Sequence, residues 1–467
     1  MTFTKKTPES VGLSSSKILS FIQSLEEANI PMHSVLIYRQ GALVTEGYYA
    51  PYTSESLHRL FSVTKSFVSV AIGELVHSGQ VRLSDPICQY FEDYTRPDIH
   101  PYVQTMTIEH LLKMETCHQS TTYKHDMRDH WVKSFFVTPP SHRPGSHFNY
   151  DTSASHTLAA LVKRLTGKNV LDYLRDTFLK DTDFCPEAYV LNDPFGESMG
   201  GSGLMARPMD LLIFAQKVMA QRSHNPYLLS ATSNLTDTLI KGATLEEQQG
   251  YGYQFWQIRH GGYACYGMGG QYALCYPKHD LIIVTTADTQ SLKEGNSIIF
   301  NAVYEHILDS ISNQPLCEDS QSYQQLQDKL KNLSIATPSE VITRSYQDHY
   351  ILEPNASSFN QIAVAFDAEK NQGILTFYQD KQEFRLPFGF GGGIISTFSA
   401  YEQDCFSYGS WIRPNRLHVK THLIDECIGS IDFHLTFHNE THLSIFIKKI
   451  EETLFQEFDG YFEGSKT

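Results

Sequence analysis

The residues of this chain best suited to chemistry lie in Leu60-Phe-Ser-Val-Thr-Lys-Ser-Phe67, where Ser62 and Lys65 stand three positions apart. On a helix that spacing puts a hydroxyl and an amine on one face, within reach of each other. A serine hydroxyl is a weak nucleophile until a base takes its proton, and a lysine can be that base only if its pKa falls. A helix N-terminus and partial burial both push it down, and the same terminus offers backbone N–H groups to a developing oxyanion. The pattern is short, and Ser14 and Lys17 repeat it. That first copy sits in an amphipathic segment where Ser14 reads as a helix cap. A capping serine and a surface lysine is also the bland reading of Ser62 and Lys65, so the pair needs support from elsewhere.

Two other segments supply it. Pro144-Gly-Ser-His-Phe-Asn-Tyr-Asp-Thr152 is a turn that delivers Tyr150 just ahead of an apolar helix. A tyrosine there can donate and accept protons if a nearby Lys65 lowers its pKa. Tyr266-Gly-Met-Gly-Gly-Gln271 leads into a strand. Glycines at such a point let backbone approach a substrate, so the N–H groups around Gly269, Gly270 and Gln271 are candidates for a second oxyanion donor. Trp256, Tyr253 and His260 are candidate pocket residues, with aromatic core packing as the alternative. His110, His118, His125, His130, His142 and His147, with Asp126 and Asp129, match no two-histidine zinc spacing, and neither a metal nor another cofactor is expected.

These residues need elements to hold them. Ser34–Arg39 and Ala42–Ala50 read as strands around a Gln40-Gly41 turn. Apolar positions 63, 67, 70, 71 and 75 predict a helix from Val63 that ends at Gly79. Residues 107–114 form a short helical segment, and Leu158 to Leu165 mark a helix that stops at Gly167. Gly200-Gly-Ser-Gly203 is a tight turn before a helix over Pro208 to Met219. Residues 271–277 and 281–287 read as paired strands, followed by a helix over about 296–310. Strands at both ends of this region can pair into one antiparallel sheet with the helical part inserted between them, an α+β layout. Residues 313–335 read as a linker with a short helix. From 336 to 467 the texture turns to short β segments between turn residues, such as Ile362–Phe366, Ile374–Tyr378, Leu417–Thr421 and Leu443–Ile447, which predicts a separate antiparallel sandwich or small barrel.

The 467 residues are too many for one ordinary domain, and 41% hydrophobic with 19% charged residues is normal for a chain with real cores. A formal net charge of -15 excludes the basic patches that nucleic-acid or anionic-membrane partners require. No apolar run follows the first lysines, and no stretch approaches a spanning helix. Eight scattered cysteines without a CxxC pair fit reduced thiols in a soluble cytoplasmic protein.

Taken in order, Phe61-Ser-Val-Thr-Lys-Ser66, Thr107-Ile-Glu-His-Leu-Leu112, Pro144-Gly with Phe148-Asn-Tyr150, and Gly200-Gly-Ser-Gly-Leu204 resemble the serine β-lactamase and penicillin-binding-protein superfamily. The likeness covers about residues 8–310 and is strongest to its class-C-like hydrolase and esterase branch. The Tyr150-Asp-Thr152 and Ser155-His156 texture looks like 6-aminohexanoate-oligomer hydrolases. The resemblance implies a β-lactamase-like serine hydrolase domain over residues 1–312, a mixed α/β part beside a mainly helical one, with the site between them. It implies an acyl-enzyme on Ser62, with Lys65 and Tyr150 as the general-base pair. Two departures stand out. Thr152 occupies the position of the family's asparagine in Tyr-x-Asn, losing an amide that can hold a substrate carbonyl. Gly267-Met268-Gly269 stands where Lys or His often precedes Thr/Ser-Gly, removing a cation for a substrate carboxylate. A small ester, amide or short peptide-like substrate without that carboxylate is the expectation. A ligand-binding protein that keeps the fold without turnover is the competing one.

Overall fold

The computed structural model describes residues 3–95, 98–450 and 458–466. They fall into two compact units: residues up to Thr289 together with Glu294–Leu333, and Gln290–Lys293 together with residues from Ser334 onward.

The first unit is built on a seven-stranded sheet in the order Thr4–Lys5, Ala42–Tyr48, Met32–Arg39, Leu281–Ala287, Gln271–Tyr276, Gly262–Gly267, Trp256–Ile258. The pairing of Thr4 with Ala42 is parallel and every other one is antiparallel. Ile283 lies opposite Ile37 on one side and Leu274 on the other, so strands from the two ends of the unit close one sheet around the inserted helices. Met32–Arg39 and Leu281–Ala287 are buried along their whole length. A strand covered on both faces carries a continuous apolar run instead of an alternating one, as Val35-Leu-Ile-Tyr38 and Leu281-Ile-Ile-Val284 do. The helix Pro208–Gln221 packs directly against three strands of this sheet.

The inserted part centres on the helix Val63–His77, which is buried nearly all round and packs against the helices Thr152–Thr166, Val170–Asp176 and Pro226–Ala231. Close approach is written into Gly73, where a Cβ would stand 2.6 Å from the Tyr227 ring. Helix Thr152–Thr166 begins six residues before the apolar period at Leu158 suggests, because Asp151 caps it. It ends as expected at Gly167, at φ 71°. The helix near 296–310 is Gly295–Ala302 continued by a π-helical turn, Val303–Leu308. Ser320–Lys331 forms a helix of the first unit: Leu326 is fully buried and Lys329 pairs with Glu26 at 2.6 Å. Burial of one such leucine contributes about 1.5–3 kcal/mol.

The second unit is a ten-stranded antiparallel barrel. Strand order runs Gln382–Gly389, Gln372–Gln379, Gln361–Asp367, Tyr346–Leu352, Gly460–Lys466, His442–Ile450, Ile428–Phe437, Arg416–Ile424, Gln403–Arg413, Ile394–Phe398. A parallel bridge between Gly389 and Tyr408 joins the first strand of that order to the ninth. Alternate residues such as Leu417, Val419, Ile431, Phe433, Leu443 and Ile445 fill its interior, the period of two expected of strands with one buried face. The molecule is thus α+β, a helix-flanked antiparallel sheet with a helical insertion, and a β-barrel.

Candidate active site

Ser62 is the residue before the first turn of helix Val63–His77. The chain enters it through Phe61 at φ 45°, a left-handed conformation that a bulky residue adopts only under constraint. The constraint is visible: Leu60 N–H donates to Leu204 O, Thr64 Oγ1 donates to Phe61 O at 2.6 Å, and Leu204 N–H donates to Thr64 Oγ1 at 3.0 Å. These bonds lock the turn that presents the Ser62 hydroxyl.

Lys65 lies one turn along, 1% exposed. Its Nζ is 3.1 Å from Ser62 Oγ and donates to the Gly201 carbonyl at 2.6 Å. Burial lowers the lysine from its usual 10.5 to about 7, with the Asp151 charge working against that fall and Lys124 adding to it. The Gly201 carbonyl can only accept, so it holds one N–H and leaves the neutral amine's lone pair for the serine proton. Gly201 has to be glycine for this, since a Cβ there would stand 2.2 Å from Thr152 Cγ2.

Tyr150 meets Lys65 in an unexpected way. The ammonium nitrogen sits 4.9 Å from the ring centroid, over the face and not against the hydroxyl. Burial raises the phenol pKa above 10, with the Ser62 and Trp256 side chains as hydrogen-bond partners that pull it partly back. The side chain is still 37% exposed, so solvent screens some of that rise. The sequence reading expected Lys65 to lower the phenol's pKa; here burial raises it, and Lys65 is the group whose pKa moves toward neutrality. Trp256 stacks on Tyr150 at 5.5 Å, with Tyr251 edge-on to both. Asp151, fully buried, caps helix Thr152–Thr166 through the Ser153 N–H at 2.9 Å and takes further bonds from the Ser153 and Thr116 hydroxyls. Burial pushes its carboxyl up to about 6. Thr152 is half-buried, and its N–H donates to Thr121 Oγ1 at 3.1 Å.

The glycine turn closes the other side. A Cβ on Gly267 would lie 2.4 Å from the Leu60 carbonyl, which brings the end of strand Gly262–Gly267 against the backbone just before Ser62. Gly269 and Gly270 follow at φ 81° and 93°, conformations that favour glycine. Among the described residues, the N–H groups of Ser62, Met268, Gly269 and Gly270 donate no hydrogen bond within the chain. Gln271, a candidate in the sequence reading for its backbone N–H, also holds the turn with its side chain. Fully buried, its amide donates to Met268 O at 2.9 Å and Ala287 O at 2.7 Å and accepts from Ala287 N–H at 3.1 Å. Its side chain pins the turn and has nothing left for a ligand.

Ser62, Lys65, Tyr150, Thr152 and the Gly269–Gly270 turn thus converge. Of the pocket candidates, Trp256 joins them. Tyr253 instead donates to Glu109 at 2.6 Å inside the helical part, and His260 lines a separate cavity of about 420 Å³ with Arg222 and Gln257. Several of the clustered histidines are structural: His110 forms a capping box with Thr107, His130 caps Trp131–Val137, and buried His118 bonds the Phe135 carbonyl at 2.9 Å. Sequence reasoning missed the Gly201 carbonyl, Asp151 and the strained Phe61. Only Gly201 left a signal, the glycine cluster at 200–203.

Residues 20–301, more than half of the chain, match the Beta-lactamase family. "Protein flp" of Staphylococcus aureus (strain MRSA252) is 22% identical over 199 residues, which cover 38% of this chain and 40% of that protein. The chain therefore spans well under two thirds of the length of the curated relatives it matches. Among solved structures, SurE with D-Leu aligns with a TM-score of 0.51 at 15% identity, over 97% of this chain and 98% of that one. EstCE1, a hydrolase with promiscuous acyltransferase activity, aligns with a TM-score of 0.50 at 16% identity, over 62% of this chain and 99% of that one. At such identities the likeness is one of fold. Together with the family match, it establishes that this chain belongs to the Beta-lactamase family.

Proposed function

We propose that the protein is a serine hydrolase that cleaves a small ester or amide through an acyl-enzyme on Ser62. The observation that carries this reading is the buried Lys65 amine, 3.1 Å from Ser62 Oγ and titrating at about 7. Neutral Lys65 takes the Ser62 proton as Oγ attacks the substrate carbonyl carbon, and the Ser62 N–H and an N–H of the Met268–Gly270 turn receive the oxyanion. The bond to the leaving group then breaks, and the leaving group departs with the proton that Lys65 took from Ser62, while the Tyr150 phenol, a hydrogen-bond partner of Ser62, donates to the departing atom. Water attacks the ester on Ser62 by the reverse proton route and frees the acid. Met268 supplies no cation, and the stacked Tyr150 and Trp256 rings form an apolar wall, which favours a neutral acyl group over a carboxylate-bearing one. Eight scattered cysteines without a CxxC pair support a reducing, cytoplasmic setting. Among the described residues no helix is long and apolar enough to cross a membrane.

The test is intact-mass spectrometry after exposure to a fluorophosphonate and to short p-nitrophenyl esters. The wild type gains one adduct and turns the esters over, Ser62→Ala does neither, and Ser14→Ala matches the wild type. A wild type that gains no adduct while a small ligand still raises its melting temperature would instead favour the silent binding protein.

A further inference from the structure

The second unit carries a cavity with no part in the chemistry above. It measures about 810 Å³, within the size range of small-molecule sites, and barrel mouths are a common place for them. Its walls come from one end of the barrel: the segment entering strand Tyr346–Leu352, the end of Gln361–Asp367, the turn at Pro414-Asn415, the turn after Phe437, and Lys466.

Four aromatic side chains line it: Tyr346, Phe366, Trp411 and Phe437. Phe366 meets Trp411 at 6.0 Å and 86°, Tyr346 meets Phe437 at 5.6 Å and 79°, and Trp411 meets Phe437 at 5.7 Å and 41°. Tyr346 stacks on Phe366 at 5.4 Å and 26°, so the four rings pack into one connected aromatic wall. Tyr346, Trp411 and Phe437 remain only partly buried beside a fully buried core, so apolar surface is left for a ligand to cover.

Charge decides which ligand. Glu340, Asp348 and Glu440 line the cavity against Arg344 and Lys466. Lys466 is paired with Asp348 at 2.8 Å, which leaves two carboxylates facing one guanidinium. Glu340 is also fixed in place, because the Trp411 backbone N–H donates to its Oε2 at 2.9 Å. A carboxylate fixed on the Trp411 main chain at the edge of an aromatic wall attracts positive charge, and the wall suits an apolar body attached to it. A carboxylate ligand would be repelled by the same groups, and a neutral sugar would leave Glu340 uncompensated.

We propose that this barrel-mouth cavity binds an organic cation, an ammonium group on an apolar body, with the aromatic wall against the body and Glu340 as counter-ion. The site is independent of the Ser62 chemistry.

Isothermal titration of the full chain with benzyltrimethylammonium, benzoate and methyl glucoside tests it. The ammonium probe binds saturably, the other two bind at least about tenfold more weakly, and Ser62→Ala binds the probe like the wild type. Glu340→Gln keeps an acceptor for the Trp411 N–H but removes the charge, and weakens the probe about tenfold at unchanged melting temperature. Phe437→Leu, a second variant that removes a wall without touching Glu340, weakens it as well. In the wild type the probe quenches fluorescence, and Trp411→Phe abolishes that quenching. The proposal is overturned if the probe does not bind below about 10 mM, if benzoate or the glucoside binds as tightly, or if Glu340→Gln and Phe437→Leu leave its affinity unchanged.

Discussion

Replacing Lys65 by methionine separates the cost of a buried amine from its use. The side chain is 1% exposed, and burial moves its pKa from 10.5 in the free side chain to about 7. Between these values the unfolded chain binds more protons at this position than the folded one, so stability rises with pH. With the two pKa values above, the penalty of burying Lys65 shrinks by about 2 kcal/mol from pH 7 to pH 9. Methionine keeps the length of the side chain and carries no such penalty. Losing the bonds to Ser62 and Gly201 costs a further, pH-independent amount of about 1–3 kcal/mol. The difference in unfolding free energy between Lys65→Met and the wild type should therefore change by about 2 kcal/mol in the wild type's favour from pH 7 to pH 9, while other titrating groups cancel between the two proteins. The chain has three tryptophans, of which Trp131 and Trp256 lie in the first unit. In a Trp411→Phe background, urea titrations at pH 7, 8 and 9 followed by fluorescence report that unit alone. A difference constant to within about 0.5 kcal/mol across these pH values would refute a lysine titrating near neutrality, and with it the base assigned to Ser62.

How much was legible in the sequence depended on the range of the interactions concerned. The helix after Ser62 was readable because 63, 67, 70, 71 and 75 keep one period, and Ser62 and Lys65 met because covalent spacing alone puts them on one face. The closing of the sheet by Leu281–Ala287 on Met32–Arg39 was also inferable, since two strongly apolar runs need partners and the elements between them read as helical. The small sheet of His58–Arg59, Tyr189–Val190 and Leu204–Ala206 was not: segments of two or three residues carry no period. Nor could the start of helix Thr152–Thr166 be read, because its first residues, Thr-Ser-Ala-Ser-His-Thr, are polar in type yet are mostly buried by tertiary packing. At the site, side-chain identity predicted who is present but not what each touches. Lys65 finds a main-chain carbonyl, which has no residue signature beyond the glycine that makes room for it. Tyr150 offers Lys65 its ring face, a matter of a few ångströms in the placement of one turn. Gln271 was a candidate through its backbone alone, and nothing in a sequence reports that its side-chain amide is used by three backbone groups.

Three further substitutions address these points. Tyr150→Phe should slow acyl-enzyme formation roughly 10²- to 10⁴-fold while the midpoint of its pH profile stays near 7, because the midpoint belongs to Lys65. A midpoint displaced by more than about one unit would make the phenol the titrating group. Gly201→Ala forces a Cβ to 2.2 Å from Thr152 Cγ2 and 3.2 Å from its carbonyl oxygen, and should cost about 1–3 kcal/mol along with activity. Adding Thr152→Ser removes the clashing methyl and should restore much of both, whereas no rescue would place the strain elsewhere. Gln271→Glu keeps the shape of the side chain and removes both amide donors, so no cavity confuses the result. Two buried carbonyls, Met268 O and Ala287 O, would lose their partners and face a carboxyl group, a loss of about 3 kcal/mol or more. Because the same amide fixes the Met268–Gly270 turn, kcat should fall more than KM rises: a displaced oxyanion donor is missed in the transition state and not in the bound substrate. An unchanged melting temperature with a raised KM alone would mean that Gln271 touches substrate after all.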